Sequence, residues 1–376
     1  MQTQQVVQSI EATILELIGQ LVDEKESGLS LQVQDHDETV PDLKPSQRRK
    51  IDFFSARSTT VFLSSVHTMS LIMQLCVQNR FSTKRDIYYC NKPILKTQQQ
   101  SNDVLSSLAR MWGLNRNDLH IVCQPKGEVF GNIVFRQCEL ADWGNPNAKI
   151  NTVDARAFSN MLPPIPHLQI SSFEIPHDLH SIVIIEKESV FQQLKELWKG
   201  KNVILLTGKG YPDAPTRDFI VTLVKYVAEV QHRAMNIYIF TDGDPHGAEI
   251  ANVYINGSKT MRNEKKTLTL ANSITEGVNS IWIWESCARM KWIGVHLDEF
   301  MVGPNQSDPL FENCLMPLDN TDVGKVQSLL NGAVELDPMV ENQIKLMLEF
   351  NRKVEIEALA SVRVGYDDYL RAKILI

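Results

Sequence analysis

The sequence predicts two domains of different class, a helix-rich α+β module followed by an α/β domain built on a parallel sheet. Three observations predict this. Between Ser58 and Trp112 apolar residues recur at helical spacing. After His180 the pattern changes to short, nearly continuous apolar runs, SIVII, NVILL and NIYIF, each followed by a helical segment; strands buried on both faces of a parallel sheet require this. Between the two regions, 142–180 carries Pro146, Pro163, Pro164, Pro166 and Pro176, the composition of a connection rather than of a core.

Bulk properties bound what the chain can be. With 376 residues and 43% apolar content it is long enough for two cored domains. Its formal charge of −7, from 38 basic and 45 acidic residues, excludes a diffuse positive field, so any nucleic-acid site must be a local patch. The cysteines, Cys76, Cys90, Cys123, Cys138, Cys287 and Cys314, form no CxxC pair and lack the spacing of a secreted disulfide framework. They read as reduced intracellular thiols. The start of the chain lacks the basic and uninterrupted apolar segments of a signal peptide, and no apolar run approaches membrane-spanning length, so a soluble protein without membrane contacts is expected.

Taken in order, residues 4–22 put Val7, Ile10, Ile14, Leu17, Ile18 and Leu21 on one helical face. This helix either packs on its own domain or offers a surface to a partner, and a polar, proline-broken linker follows as far as Lys50. The segment 1–50 is therefore set apart from a first domain at 51–170 and a second at 171–376. Phe62, Val66, Met69, Met73, Cys76 and Val77 mark the next helix, after which Ser82 or Thr83 can cap a helix containing KRDIYY. Pro93 disfavours helical geometry at Lys92, so this helix should end near Tyr89. A third begins near Ser101, turns Val104, Leu105, Leu108, Met111 and Trp112 inward, and stops at Gly113. LHIVC and EVFGNIVF, joined around QPKG, read as a β-hairpin. Three helices followed by a hairpin is the order of a winged helix, a DNA-reading module of helix-turn-helix type.

The chemistry gathers at the carboxyl ends of the predicted strands, where α/β sheets bind ligands. Glu186 follows SIVII, and Asp242 and Asp244 follow NIYIF. Two residues apart in extended chain, both aspartates point to one side, and a third acid completes an oxygen site suited to Mg²⁺ and a phosphodiester. GKGYPD, residues 208–213, is glycine-rich, but the GxxxxGK[ST] spacing of an ATP-binding loop occurs nowhere in the chain. Lys209, Tyr211 and Arg217 put a cation, a ring and a second cation beside the acids, as a DNA-facing edge would. His246 is either a base or a structural part of a helix start.

Tyr88 and Tyr89 stand in a basic, polar segment that has no apolar stripe to fill. A phenol has an unperturbed pKa near ~10 and is a poor nucleophile unless cations stabilise its phenolate. Arg85 lies four residues before Tyr89, on the same helical face, where its guanidinium could do this. Successive helical residues are rotated by ~100°, so only one of the two hydroxyls can meet a given phosphate and the other packs.

KRDIYY, IVIIEKESVFQQL, LLTGKGYPDAPTR and TDGDPHGAEIANVYINGS, in that order, resemble the meiotic double-strand-break transesterase family, homologues of the A subunit of topoisomerase VI. The resemblance implies a winged helix carrying a catalytic tyrosine, then a Toprim α/β metal domain. It implies that Tyr89 is the nucleophile, that Arg85 assists it, and that Glu186, Asp242 and Asp244 hold Mg²⁺. It also implies cleavage of double-stranded DNA through a covalent 5′-phosphotyrosyl intermediate, by a homodimer whose active sites are each shared between two chains. Accessory partners would be a B-type, ATPase-like protein and other break-forming proteins, and the DPHG form favours a nuclear meiotic member over an archaeal one. Gly243 replaces the alanine common between the two aspartates, a departure expected to be harmless. Beyond residue 260, MKWIGVH and MPLDNTDVGKVQSLL resemble family segments, whereas LANSITEGVNSIWIWESC does not. Two other functions fit the same residues: a hydrolytic Toprim nuclease in which the metal activates water, and a noncatalytic DNA-binding scaffold.

Overall fold

The computed structural model describes residues 2–22, 28–34, 48–56, 58–114, 118–122, 126–139, 147, 149–156, 160–161, 168–257, 281–301, 313–332 and 335–374. Most of the expected linker before Lys50, together with Cys123 and the stretch 258–280, lies outside them. The chain divides into two compact units, the first essentially residues 1–124 and the second residues 125–376. The division thus falls earlier than the proline-rich stretch suggested.

The first unit opens with α1 (Gln2–Val22) and the antiparallel pair β1 (Ser30–Gln34) and β2 (Arg48–Asp52). Then follow α2 (Thr59–Val77), β3 (Ser82–Thr83), α3 (Lys84–Asn91), α4 (Gln98–Trp112) and β4 (Ile121–Val122). Val6, Ile10 and Leu17 of α1 enter the same core as Phe62, Met69, Ile72, Ile87, Leu105 and Leu108, so α1 packs on its own unit. Ile18 and Leu21, expected on the inner face, are exposed instead. Helix α2 is long and apolar enough for a membrane span, contrary to expectation, yet it packs Phe62, Ser64, Ser65, Thr68, Met69, Ile72 and Cys76 inside the unit.

Helix α3 begins at a capping box in which Thr83 and Asp86 satisfy each other's backbone N–H groups. It runs two residues past the end that Pro93 suggested, because the buried Asn91 amide donates to Thr68 Oγ1 and to the Ile87 carbonyl, both at 3.0 Å. Helix α4 starts at a Thr97–Gln100 capping box, three residues before Ser101, and ends at Gly113 in the left-handed region, φ 62°.

Among the described residues the expected wing hairpin is not found. β4 pairs in parallel with β3, and β5 (Glu128–Gly131) joins the sheet of the second unit, where it runs antiparallel to the strand Val203–Thr207. Val129 and Phe130 are both buried there, which a solvent-exposed wing would not achieve.

In the second unit β6 (Val134–Glu139), β7 (Asn151–Asp154) and β9 (Leu168–Glu174) form an antiparallel sheet, and β8 (Asn160–Met161) pairs with β5. The main sheet adds β10 (Ser181–Ile185), β11 (Val203–Thr207), β12 (Asn236–Phe240) and β13 (Met290–Gly294) in the order β13-β12-β10-β11-β5-β8. β13, β12, β10 and β11 are mutually parallel. Every residue of β10 and β11 is buried, which explains their unbroken apolar runs. Helices α5 (Glu188–Leu197), α6 (Ala214–Val230) and α7 (Pro245–Asn256) follow β10, β11 and β12 in turn and add Phe191, Leu223 and Ala251 to one core. The C-terminal residues belong to that core through Val326, Ile344, Val354 and Leu370. Among the described residues no cysteine is in a disulfide.

Candidate active site

The structure brings Arg85 to Tyr89 and brings Glu186 beside Asp242, but the tyrosine and the acids belong to different units. On α3 the two phenols part company as the 100° rotation requires. Tyr88 Oη donates to the Lys96 carbonyl at 3.3 Å, while Tyr89 is half exposed. The Arg85 Nε–H donates to Tyr89 Oη at 3.2 Å, and its guanidinium stands 5.7 Å from the ring centroid. A guanidinium so placed stands where negative charge gathering on that oxygen during a displacement would meet a fixed positive group. The helix is held by Ile87, by Asn91 and by His67, whose Nδ1 lies 3.0 Å from Asn91 Oδ1.

The acids lie where neighbouring parallel strands end. β10 and β12 pair directly, so Glu186 and Asp242 emerge side by side, and the Asp242 N–H donates to Glu186 Oε2 at 2.9 Å. Asp244 does not continue the strand but caps α7, accepting the Gly247 N–H at Oδ1 at 2.6 Å. Gly243 between them forms a two-way backbone bridge with Val354, N–H to carbonyl at 2.8 and 3.0 Å. Two residues later the Ile356 N–H donates to Asp242 Oδ1 at 2.8 Å. The segment 352–357 is thus a strap that fixes the loop carrying both aspartates. Lys187 Nζ reaches Asp242 Oδ1 at 3.0 Å and also pairs with Glu357.

Burial, reinforced by Asp242 and Asp244, pushes the Glu186 carboxyl up to about 7, although the Asp242 N–H and Lys187 oppose the shift. Burial likewise raises Asp242 to about 6 against the pull of the Ile356 N–H and Lys187. For Lys187 itself burial alone would lower the pKa, but Glu357 and Asp242 outweigh it and the ammonium is held well above its ordinary value. Among the described residues no three carboxylate, imidazole or thiol groups close on one point, consistent with acids that repel one another. The donor set still fits a hard divalent cation: three carboxylates at or just beyond adjoining strand ends, Asp242 buried and Glu186 half-buried, both hard to ionise without a positive neighbour.

The expected DNA-facing edge is differently arranged. Lys209 Nζ pairs with Glu128 at 2.6 Å and Glu188 at 2.8 Å. Tyr211 Oη donates to Glu249 and lies 3.1 Å from His246 Nδ1. Burial and then Glu249 hold its phenol far above the usual range. Lys325 pairs with the same Glu249. Arg217 is buried in the first turn of α6 and presents no cation to solvent. Sequence reasoning missed Lys187, Val354, Ile356 and Glu357. The only local signal was a lysine directly after Glu186.

Two outcomes follow from this geometry. A Cβ on Gly243 would stand 2.5 Å from the Val295 carbonyl oxygen and 2.6 Å from Val354 Cγ1. The glycine therefore leaves room for the strap, and Gly243→Ala should destabilise the chain by roughly 1–3 kcal/mol in denaturant unfolding; an unchanged midpoint would contradict the strap. Because Glu186 and Asp242 carry raised values, about 7 and about 6, the folded state holds more protons than the unfolded one between about pH 4 and 7, and stability falls as pH rises through that window. Thermal midpoints in chelator should drop from about pH 5 to pH 7.5, recover when a divalent cation is added, and change less in Glu186→Gln.

Comparison with known proteins gives the family. A family model for the Toprim domain of topoisomerase 6 A subunits and Spo11 matches residues 181–280 and 284–374, and one described as type IIB DNA topoisomerase matches residues 60–121. The A subunit of DNA topoisomerase 6 from Arabidopsis thaliana is 27% identical over 343 residues, covering 89% of this chain and 70% of that protein. Meiotic recombination protein SPO11 of Homo sapiens is 27% identical over 325 residues, 85% of this chain and 72% of its own length. The A subunit of type 2 DNA topoisomerase 6 from Aeropyrum pernix is 26% identical over 340 residues, 85% and 79% of the two chains. The matched segments carry β10 with Glu186, β12 with both aspartates, the strap and α3 with Tyr89, and the chain belongs to the family of topoisomerase 6 A subunits and Spo11.

Proposed function

We propose that the chain is an Mg²⁺-dependent, topoisomerase-like transesterase that makes meiotic double-strand breaks in nuclear DNA. The observation that carries this reading is the division of labour on α3. One phenol is used up on a backbone carbonyl, and the next is exposed with a guanidinium on its oxygen. In the proposed reaction Tyr89 Oη attacks a backbone phosphorus. The new P–O bond forms as the bond to the 3′ oxygen breaks, leaving a 5′-phosphotyrosyl end and a 3′-hydroxyl. The phenolic proton is lost on one side and the leaving 3′ oxygen takes one up on the other. Arg85 stabilises the phenolate and then the crowded phosphorane. Glu186, Asp242 and Asp244 would hold Mg²⁺, which supplies charge to the phosphate oxygens.

The helices α2 to α4 act in this reading as a winged-helix-type DNA reader, although β5, expected as one strand of the wing, belongs to the other unit's sheet. Lys209 and Tyr211 contribute to DNA binding only by exchanging Glu128, Glu188 and Glu249 for phosphates, so their share is small. Energy for strand passage or assembly comes from a B-type, ATPase-like partner, acting with other break-forming proteins. One tyrosine cuts one strand, so a break needs two protomers on a two-fold axis matching antiparallel DNA. Each site then takes Tyr89 and Arg85 from one chain and the acids from the other, which keeps a lone protomer inert.

Tyr89→Phe should abolish cleavage while preserving folding and DNA binding, because only the nucleophilic oxygen is removed. Tyr88→Phe forfeits one hydrogen bond, about 1 kcal/mol, and should cut. Equal residual cleavage in the Tyr89 variant would rule out the transesterase and point to a Toprim nuclease or, with no cleavage by the wild type, a scaffold. Mixing Tyr89→Phe chains with Glu186→Gln chains should restore nicking of one strand, since one shared site is then intact. Sites built within single chains would give no nick above background.

A further inference from the structure

Each acid of the proposed metal centre has one oxygen engaged by the protein. Glu186 Oε2 accepts the Asp242 N–H and Asp244 Oδ1 accepts the Gly247 N–H. Asp242 Oδ1 accepts twice, from the Ile356 N–H at 2.8 Å and from Lys187 Nζ at 3.0 Å. No hydrogen bond from the described residues reaches Glu186 Oε1, Asp242 Oδ2 or Asp244 Oδ2. One oxygen of each carboxylate is thus engaged by the protein and the other is left without a hydrogen bond from the described residues. Mg²⁺ demands near-ideal octahedral geometry with few protein oxygens, whereas Ca²⁺ takes six to eight and readily uses both oxygens of a carboxylate.

Of the two groups on Asp242 Oδ1, the backbone N–H is a neutral donor fixed by the strap, and the ammonium carries the charge that a bound cation would face. Lys187 is in turn gripped from its far side by Glu357 of the strap, itself half exposed. Turning both Asp242 oxygens toward a cation would strip this ammonium of a partner and leave it beside a divalent charge, an arrangement that Coulomb repulsion opposes.

We propose that Lys187, positioned by Glu357, locks Asp242 into one-oxygen ligation and thereby makes the centre discriminate against Ca²⁺ in favour of ions of the Mg²⁺ class. This rests on the reading of Glu186, Asp242 and Asp244 as a metal centre. Lys187 is a positioning residue: it touches the ligand and not the metal or the DNA.

Isothermal titration of the full chain with Mg²⁺ and with Ca²⁺, without DNA, tests it. Lys187→Met should raise the Ca²⁺-over-Mg²⁺ affinity ratio by about tenfold, the lower end of what outer-shell partners command. Lys187→Arg keeps the charge and should keep the ratio near the wild-type value. Glu357→Gln, at an exposed position, should shift the ratio in the same direction by less, and it decides the matter if Lys187→Met does not fold. Asp244→Asn should weaken both ions; if it weakens neither, the metal centre itself is wrong. If Asp244→Asn weakens both but Lys187→Met and Glu357→Gln leave the ratio unchanged, the lock is overturned while the centre stands.

Discussion

Two carboxylates side by side at the ends of adjacent parallel strands, Asp242 buried and Glu186 half-buried, are the constraint around which the second unit is organised. A buried carboxylate survives only with hydrogen-bond donors or positive charge close by. β10 and β12 supply the adjacency, and the Asp242 N–H supplies the first donor to Glu186. The remaining donors come from far along the chain: the Ile356 N–H on Asp242 and the pairing of Val354 with Gly243. Because the strap must lie flat on the loop between the acids, a side chain at position 243 has no room. The C-terminal residues are thus part of the centre rather than an appendage to it.

The first unit solves a different problem, how to present a phenol at the surface without letting it wander. Its answer is a short helix fixed at both ends, by the Thr83–Asp86 capping box and by Asn91 on Thr68. Between these anchors the rotation per residue sends Tyr88 back to the Lys96 carbonyl and Tyr89 outward under Arg85. Short helices are marginal on their own. Here the caps and the buried Ile87 hold α3 in place.

Much of this was legible in the sequence because it is encoded locally. The apolar runs gave β10, β11 and β12, each within a residue or two, and the spacing of Arg85 and Tyr89 gave their contact. What failed was non-local. EVFG reads as half of a hairpin, but its partner β11 comes much later in the chain, and only the burial of Val129 and Phe130 reveals the pairing. The Lys187–Glu357 pair spans 170 positions, with no motif at either end to announce it. For Lys209 and Tyr211 the sequence shows a charge and a ring but not the carboxylates that pair with them. Arg217 misled for a simpler reason: it lies in the buried first turn of α6.

The central claim is that Tyr89 becomes covalently joined to DNA. Its most direct test is to incubate the chain and its break-forming partners with Mg²⁺ and end-labelled duplex, denature the mixture, digest both polymers and weigh the peptides. The account predicts label that survives denaturation and a nucleotide adduct on the peptide containing Tyr89, with Tyr88 unmodified. Cleaved DNA with free 5′-phosphates and no adduct on any tyrosine would contradict it.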